Sequence, residues 1–273
     1  MQKSIFITGA ASAIGKATAM LFADKDWFVG IADINEAGLE TLKRNMDGKI
    51  GFVRHLDVTD ADRVAAVLSE FAQATGGKID VLFNDAGVLR IHPFEDISLE
   101  NHHAILEVNA KGVLNCTYHA FPYLKNTSGS RVINMASVAS VYATAHKATY
   151  SASKFWVRGF TEALNIGREQ YGIHVCDIMP NFVNTPMVQQ NPDRLVDNVG
   201  VFLTAEDVAR TVWKAVNGHR IHWLVDRPAM RLLHNLQGFT LLIGKIYHEE
   251  VGRLLVTGHY IQQWRSICAQ GCF

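Results

Sequence analysis

No sign of charge dominates this sequence: 26 Lys and Arg stand against 26 Asp and Glu, a formal net charge of zero at pH 7. A chain without a basic excess gives no electrostatic case for nucleic acid or an anionic membrane as a partner. Cysteine is scarce as well. The four present, Cys116, Cys176, Cys268 and Cys272, fall at no metal or redox spacing, which points to a reduced, cytoplasmic protein. Cys116 and Cys176 lie in apolar stretches and are expected to be buried. No apolar run reaches the roughly 18 residues that a membrane span needs. No basic stretch followed by an apolar one opens the chain, so no secretory signal is expected. Histidine is plentiful, with 12 residues. Yet His102 and His103 are adjacent and would diverge on a helix, and no HExxH or paired-cysteine arrangement occurs. No metal site is expected.

Apolar residues make up 48% of the 273, ample for the core of one α/β domain. Strand-like runs at 3–8, 27–33, 50–56, 79–84, 131–136, 173–179 and 221–226 alternate with helical patterns, the longest near 98–125 and 148–171. Such alternation predicts a parallel sheet covered by helices on both faces, and right-handed crossovers make it doubly wound. There is no repeat, low-complexity tract or linker.

The first run, Ser4 to Ile7, leads straight into TGAASAIG, Thr8 to Gly15, and then into a helical pattern with Ala17, Met20, Leu21 and Phe22 on one face. Strand, glycine turn, helix is the layout of a dinucleotide-binding unit. The helix start offers unpaired N–H groups and a positive dipole end to a pyrophosphate. Gly9 permits the tight turn and Gly15 close helix–strand packing; an ordinary βα turn is the alternative for this motif alone. Asp33 ends the second strand about 20 residues past the turn, where an acid reaches the ribose hydroxyls. Its carboxylate would repel a 2′-phosphate, and no Arg or Lys stands at Ala10, Ala11, Ser12, Ile34 or Asn35. The expectation is NAD over NADP, with a helix cap or turn role for Asp33 as the alternative.

Tyr150 and Lys154 stand four apart in YSASK. On a helix they share a face, and a fixed cation favours phenolate and lowers the phenol's pKa. Such a pair can move a proton under mild conditions.

Together TGAASAIG, NDAG (Asn84 to Gly87), Asn109, Ser137, YSASK and PNFVNTP (Pro180 to Pro186) occur in an order that resembles the short-chain dehydrogenase/reductase family in its single-domain form, over roughly residues 1–227. The resemblance implies a Rossmann-type sheet of about seven strands in the order 3-2-1-4-5-6-7. It implies cofactor contacts from Gly9, Ser12, Ala13, Ile14 and Gly15 at the turn and from Asp33 and Ile34 at the ribose. Asp57 and Val58 would flank the adenine, and Asn84, Ala86 and Gly87 would line the strand-four end of the cleft. Pro180 would border the cofactor, and Val183 and Thr185 would meet the nicotinamide carboxamide. The catalytic tetrad maps onto Asn109, Ser137, Tyr150 and Lys154. Tyr150 is then the general acid or base, and Lys154 lowers its pKa and holds the ribose. Ser137 steadies the substrate oxygen, and the Asn109 amide interrupts a helix and holds a relay water. Taken singly, Ser137 could end a strand and Asn109 could kink a helix.

The chain departs from the family pattern at Ala13 (usually Gly), Asp85 (usually Asn) and Asn181 (usually Gly), which bears on cofactor affinity rather than on the class of chemistry. Asn181 is expected to tolerate a left-handed turn. The segments facing substrate would be Leu89–Phe94, Val138–Thr144 and Met187–Phe202. Leu89, Val138, Tyr142, Phe182 and Met187 form the candidate pocket, with Ile91, Val141, Val188 and Phe202 beside them. Arg90 and His92 are the only candidates for gripping an anion, and His146 is read as a loop residue that could touch substrate. A small-molecule substrate is expected, an apolar secondary alcohol or ketone: a steroid, an aryl ketone or a lipid-derived alcohol. Residues 228–273 extend past the fold as a lid, a subunit interface or a membrane-surface segment. Their polar face is not Lys/Arg-rich, which favours lid or interface, and family members commonly form homodimers or homotetramers. Two rival functions stand beside the dehydrogenase. One is an NAD-using epimerase or dehydratase; the other is a non-enzymatic NAD(H) redox sensor, which the presence of both Tyr150 and Lys154 disfavours.

Overall fold

The computed structural model describes residues 2–46, 48–191 and 200–226. The extension at 228–273, with Cys268 and Cys272, and residues 192–199 of the third substrate-facing segment lie outside the described residues.

Strand β1 (Ser4–Thr8) is buried along its whole length. Its side chains alternate with the period of two that a strand imposes. Ile5 and Ile7 enter one hydrophobic core and Phe6 the other. Helices α1 (Ala13–Ala23), α2 (Glu36–Asn45) and α8 (Ala205–Asn217) close the first core, with Phe22, Leu39, Leu42, Val208 and Val212 facing the sheet. Helices α3 (Ala61–Ala74) and α5 (Val113–Lys125) close the second through Val64, Leu68, Phe71, Ala120 and Leu124. Cys116 and Cys176 fill these cores as small hydrophobes, fully buried as expected.

Strands β2 (Phe28–Asp33), β3 (Ile50–His55), β4 (Val81–Asn84), β5 (Arg131–Met135), β6 (His174–Pro180) and β7 (His222–Val225) complete a parallel sheet of seven strands in the order β3-β2-β1-β4-β5-β6-β7. Register places Thr8 opposite both Ala32 and Asn84. The order reverses between β1 and β4. A crevice opens beyond the carboxyl ends of strands at such a switch point, and the motifs read from the sequence converge there.

Local chemistry sets the helix starts. Asn35, Asp60 and Ser98 accept the backbone N–H of Gly38, Arg63 and Asn101, capping α2, α3 and α4 (Leu99–Leu106). Thr204 and Asp207 form a reciprocal capping box on α8. At the end of the sheet opposite the crevice, Phe22, Trp27 and Trp213 meet edge to face. Phe22 lies 5.1 Å from each indole, and the two indoles are 6.0 Å apart between centroids. Helix α6 (Ala148–Arg168) is tied to β6 and β7 by a charged cluster. His222 Nδ1 is 3.0 Å from the Asp177 carboxylate and Nε2 is 3.0 Å from Glu162. Among the described residues no helix is long and apolar enough to cross a membrane.

Candidate active site

The turn after β1 is held open by a glycine with no alternative. Gly9 has φ +69°, and a Cβ there would lie 2.7 Å from the Ala86 backbone nitrogen. Gly15 is equally tight, since a Cβ would sit 2.5 Å from the Gly9 carbonyl. Ala13 starts α1 on ordinary right-handed backbone; among the described residues only Asp26 and His146 have positive φ without being glycine. Ser12, Ala13 and Ile14, at the start of α1, line a cleft of about 420 Å³. Asp33 reaches the same cleft. Its Oδ2 accepts the Ala11 N–H at 2.9 Å and its Oδ1 the Asn35 N–H at 2.9 Å, so the carboxylate braces the turn and still faces the opening.

Asp85 sits beneath the start of α1 with 9% of its surface exposed. Its Oδ2 lies 3.3 Å from Ser12 Oγ. Burial pushes its carboxyl up to about 7; the Lys154 cation, the Ser12 hydroxyl and the Gly15 N–H pull the other way, while Asp33 adds to the rise. Gly87 lines the cleft. Asn84 points into the sheet instead. Its amide donates to Thr117 Oγ1 at 3.1 Å and to Asn134 Oδ1 at 2.8 Å, cross-linking the sheet interior. Gly9, Gly15 and Ala86 shape the turn from behind rather than lining the opening. Ile34, 63% exposed, lies outside it. Asp57 and Val58 are also outside: the Asp57 carboxylate accepts from the Thr59 N–H and hydroxyl, and Val58 packs against Gly112.

Ser137 follows β5 with extended backbone, and its Oγ accepts the Ala139 N–H at 3.1 Å. Tyr150 and Lys154 project from one face of α6 into the cleft beside it. Lys154, 4% exposed, donates to the Met135 carbonyl at 2.7 Å. Its Nζ is 5.6 Å from the Tyr150 ring centroid. Burial pushes this ammonium down to about 8 against the pull of Asp85. Burial also pushes the Tyr150 phenol up to about 12, opposed by a hydrogen bond with Ser137. Burial is the largest influence on the phenol, and the Lys154 ammonium is engaged by the Met135 carbonyl.

Asn109 interrupts the crossover as expected of its position. It lies in a single wide turn of π-type helix, Glu107–Gly112, between α4 and α5. Its fully buried amide is largely committed. Nδ2 donates to the Val88 carbonyl and Ser153 Oγ, and Oδ1 accepts the Val88 N–H at 2.8 Å. One lone pair of Oδ1 remains.

Beyond β6, Pro180, Val183 and Thr185 line the cleft. Thr185 caps the short helix α7 (Pro186–Gln189). Asn181 needs no left-handed backbone, contrary to expectation; its amide donates to Asp226 at 3.0 Å and its oxygen accepts the Phe182 N–H. Leu89, Val138, Tyr142, Phe182, Met187 and Val188 form the apolar end, while Ile91, Val141 and Phe202 are not part of the lining. Arg90 and His92 do not line it either. The Arg90 guanidinium turns to Asn101 and the Leu89 carbonyl, and His92 donates its N–H to the His146 carbonyl. The cation the sequence reading missed is Lys147. It is 4% exposed, lines the cleft and stands 4.7 Å from the Phe182 ring centroid. Its one sequence signal, a place three residues before Tyr150, lies ahead of the helix and outside any periodic pattern. His102 is a satisfied core histidine, bonded to Thr149 and the Phe94 carbonyl. No group of three or more metal-ligating side chains occurs among the described residues.

A phosphate-receiving helix start, an acid at the end of β2 and a buried cation fit a dinucleotide. The comparisons agree. The short chain dehydrogenase family model matches residues 3–196. The chain is 34% identical over 218 residues to 3-oxoacyl-(acyl-carrier-protein) reductase FabG of Thermotoga maritima, covering 77% of this chain and 88% of that protein. It is 31% identical over 195 residues to cyclohexanol dehydrogenase of an Acinetobacter species, covering 69% and 76%. The structure of 3-ketoacyl-(acyl-carrier-protein) reductase from Brucella melitensis complexed with NADH superposes with a TM-score of 0.76. The identity is 26%, covering 82% of this chain and 96% of that one.

Proposed function

Since the chain belongs to the short chain dehydrogenase family, we propose that it is an NAD-dependent oxidoreductase interconverting a secondary alcohol and its ketone. One observation carries the reading: Ser137, Tyr150, Lys154 and the N-terminus of α1 open into a single cleft. A bound nicotinamide dinucleotide supplies the two-electron redox chemistry there. The α1 N-terminus would take its pyrophosphate, Asp33 its adenosine ribose and Lys154 its second ribose.

Ser137 Oγ hydrogen-bonds the substrate oxygen and steadies the charge that develops on it. Tyr150 Oη gives that oxygen a proton during reduction and takes it back during oxidation. A phenol pushed up to about 12 by burial is held in the acid form at neutral pH, suited to reduction. In oxidation the base form is favoured by a nearby cation, and the Lys154 ammonium, 5.6 Å from the ring centroid, is the one α6 offers. The remaining lone pair of Asn109 Oδ1 can hold a water behind Lys154 for proton resupply. The apolar end of the cleft, together with the named activity of the cyclohexanol dehydrogenase relative, supports an apolar, ring-bearing alcohol as substrate. The family's habit of homodimers and homotetramers extends to this chain.

The test is NADH formation over a panel of secondary alcohols, from small polar to steroid-sized, with NAD and NADP in parallel. Tyr150→Phe should lower kcat by about 10³-fold while NADH binds as before. Retained turnover in that variant would overturn the mechanism.

A further inference from the structure

Asp85 is a buried acid in the cleft that the proposed chemistry does not use. Its main chain is fixed, with the Asp85 and Ala86 N–H groups both donating to Thr8 Oγ1, at 3.2 and 3.3 Å. Its carboxyl is thereby held beneath α1, 3.3 Å from the Ser12 hydroxyl, whose proton also has the Gly9 carbonyl at 2.7 Å, and beside the Gly15 N–H. These are the donors that a helix start offers to an incoming anion. The charged groups facing Asp85 come from two other elements. Asp33, at the end of β2, is a second carboxyl; Lys154, on α6, is a cation held by the Met135 carbonyl.

A pyrophosphate arriving at this turn meets one of two groups. Ionised, Asp85 repels it and competes for the same donors. Protonated, it is neutral and offers an O–H to a phosphate oxygen. We propose that Asp85 couples dinucleotide binding to proton uptake: the nucleotide binds the form with a protonated Asp85, and ionisation of Asp85 weakens its hold. The inference rests on the reading of the cleft as a dinucleotide site. Binding takes one proton from solvent onto the Asp85 carboxyl and releases it when the nucleotide leaves. Because burial already holds this carboxyl at about 7, the exchange falls within the working range of a neutral-pH protein. An asparagine here, as in the family pattern, would have no such proton to exchange.

The experiment measures the Kd of the full chain for NADH and for ADP-ribose between pH 5.5 and 9. The phosphates of both ligands carry no titrating proton in that range. Wild-type affinity should fall by up to tenfold per pH unit above about pH 7, the limit for one linked proton. Asp85→Asn should bind tighter than wild type at pH 8.5, and in the Lys154→Met background, where the ammonium held down to about 8 no longer titrates, it should remove the step. Lys154→Met should keep the step and move it to higher pH, because the cation that favours the carboxylate is gone. Calorimetry of the wild type at pH 7.5, in buffers of different ionisation enthalpy, should show proton uptake on binding whether or not the variants fold. A wild-type affinity that stays flat from pH 6 to 8, or a step that survives when Asp85→Asn is added to Lys154→Met, overturns the inference while leaving the dinucleotide reading intact. Failure of either ligand to bind at any pH overturns both.

Discussion

Burial acts on Tyr150, Asp85 and Lys154 in the cleft according to their charge. It disfavours phenolate and carboxylate, pushing Tyr150 and Asp85 up, and it disfavours ammonium, pushing Lys154 down. None of this can be read from residue types. Tyr150 and Lys154 were legible because a spacing of four on a helix fixes a shared face. The depth of that face, which raises the phenol, depends on chain segments far away in sequence. Lys147 and the true direction of Asn84 escaped for the same reason: a loop lysine has no periodicity, and a residue at the end of a strand can turn either to the cleft or to its neighbour strand. Asn109 shows how a polar residue read as catalytic also carries structure. Asn109→Ala would leave the Val88 N–H and carbonyl without partners. The expected loss is about 2–3 kcal/mol of stability, read as a lower midpoint in urea. An unchanged midpoint would mean that the wide turn is held by something else.

Strands and helices were largely legible as elements. Continuous apolar runs mark strands buried on both faces, and the seven observed strands fall within a residue or two of the runs read from the sequence. Their order was not legible from pattern; it came from the family resemblance, since nothing local in β4 says that it pairs with β1. The attachment of β7 is likewise invisible in sequence. His222 bridges Asp177 of β6 and Glu162 of α6, and Arg158 pairs with that same glutamate at 3.0 Å. The hydrogen bond to Asp177 holds the imidazole above its ordinary value. A histidine raised on folding contributes stability that is complete below the unfolded pKa, near 6.5, and that is lost as pH rises through the folded one. His222→Gln should therefore cost about 2–3 kcal/mol at pH 6 and much less at pH 9, measured by denaturant unfolding at both. Equal losses at the two pH values would rule out the imidazolium as the source.

Over the whole molecule, the doubly wound order gathers residues from β1, β2, β4, β5, β6 and α6 at one end of the sheet, leaving the other end free for packing. A ligand filling the crevice would touch residues that follow most of these strands, and its binding energy should appear in global unfolding. NADH at a hundredfold excess over its Kd should add about 2.7 kcal/mol, or roughly 5–10 °C in Tm. NADPH at the same concentration should add about 2 °C or less, because Asp33 opposes a 2′-phosphate. Equal shifts would mean that Asp33 does not read the ribose. The opposite end of the sheet carries a different resource. Trp27, just ahead of β2, and Trp213, on α8, stand edge to face at 6.0 Å, with Phe22 as the third corner of the cluster. Indoles that close share their electronic excitation, so their near-ultraviolet circular dichroism bands belong to the pair rather than to either ring. The protein thus has an optical gauge of whether α8 is docked on α1, and it can be read without touching the cleft where the nucleotide would sit.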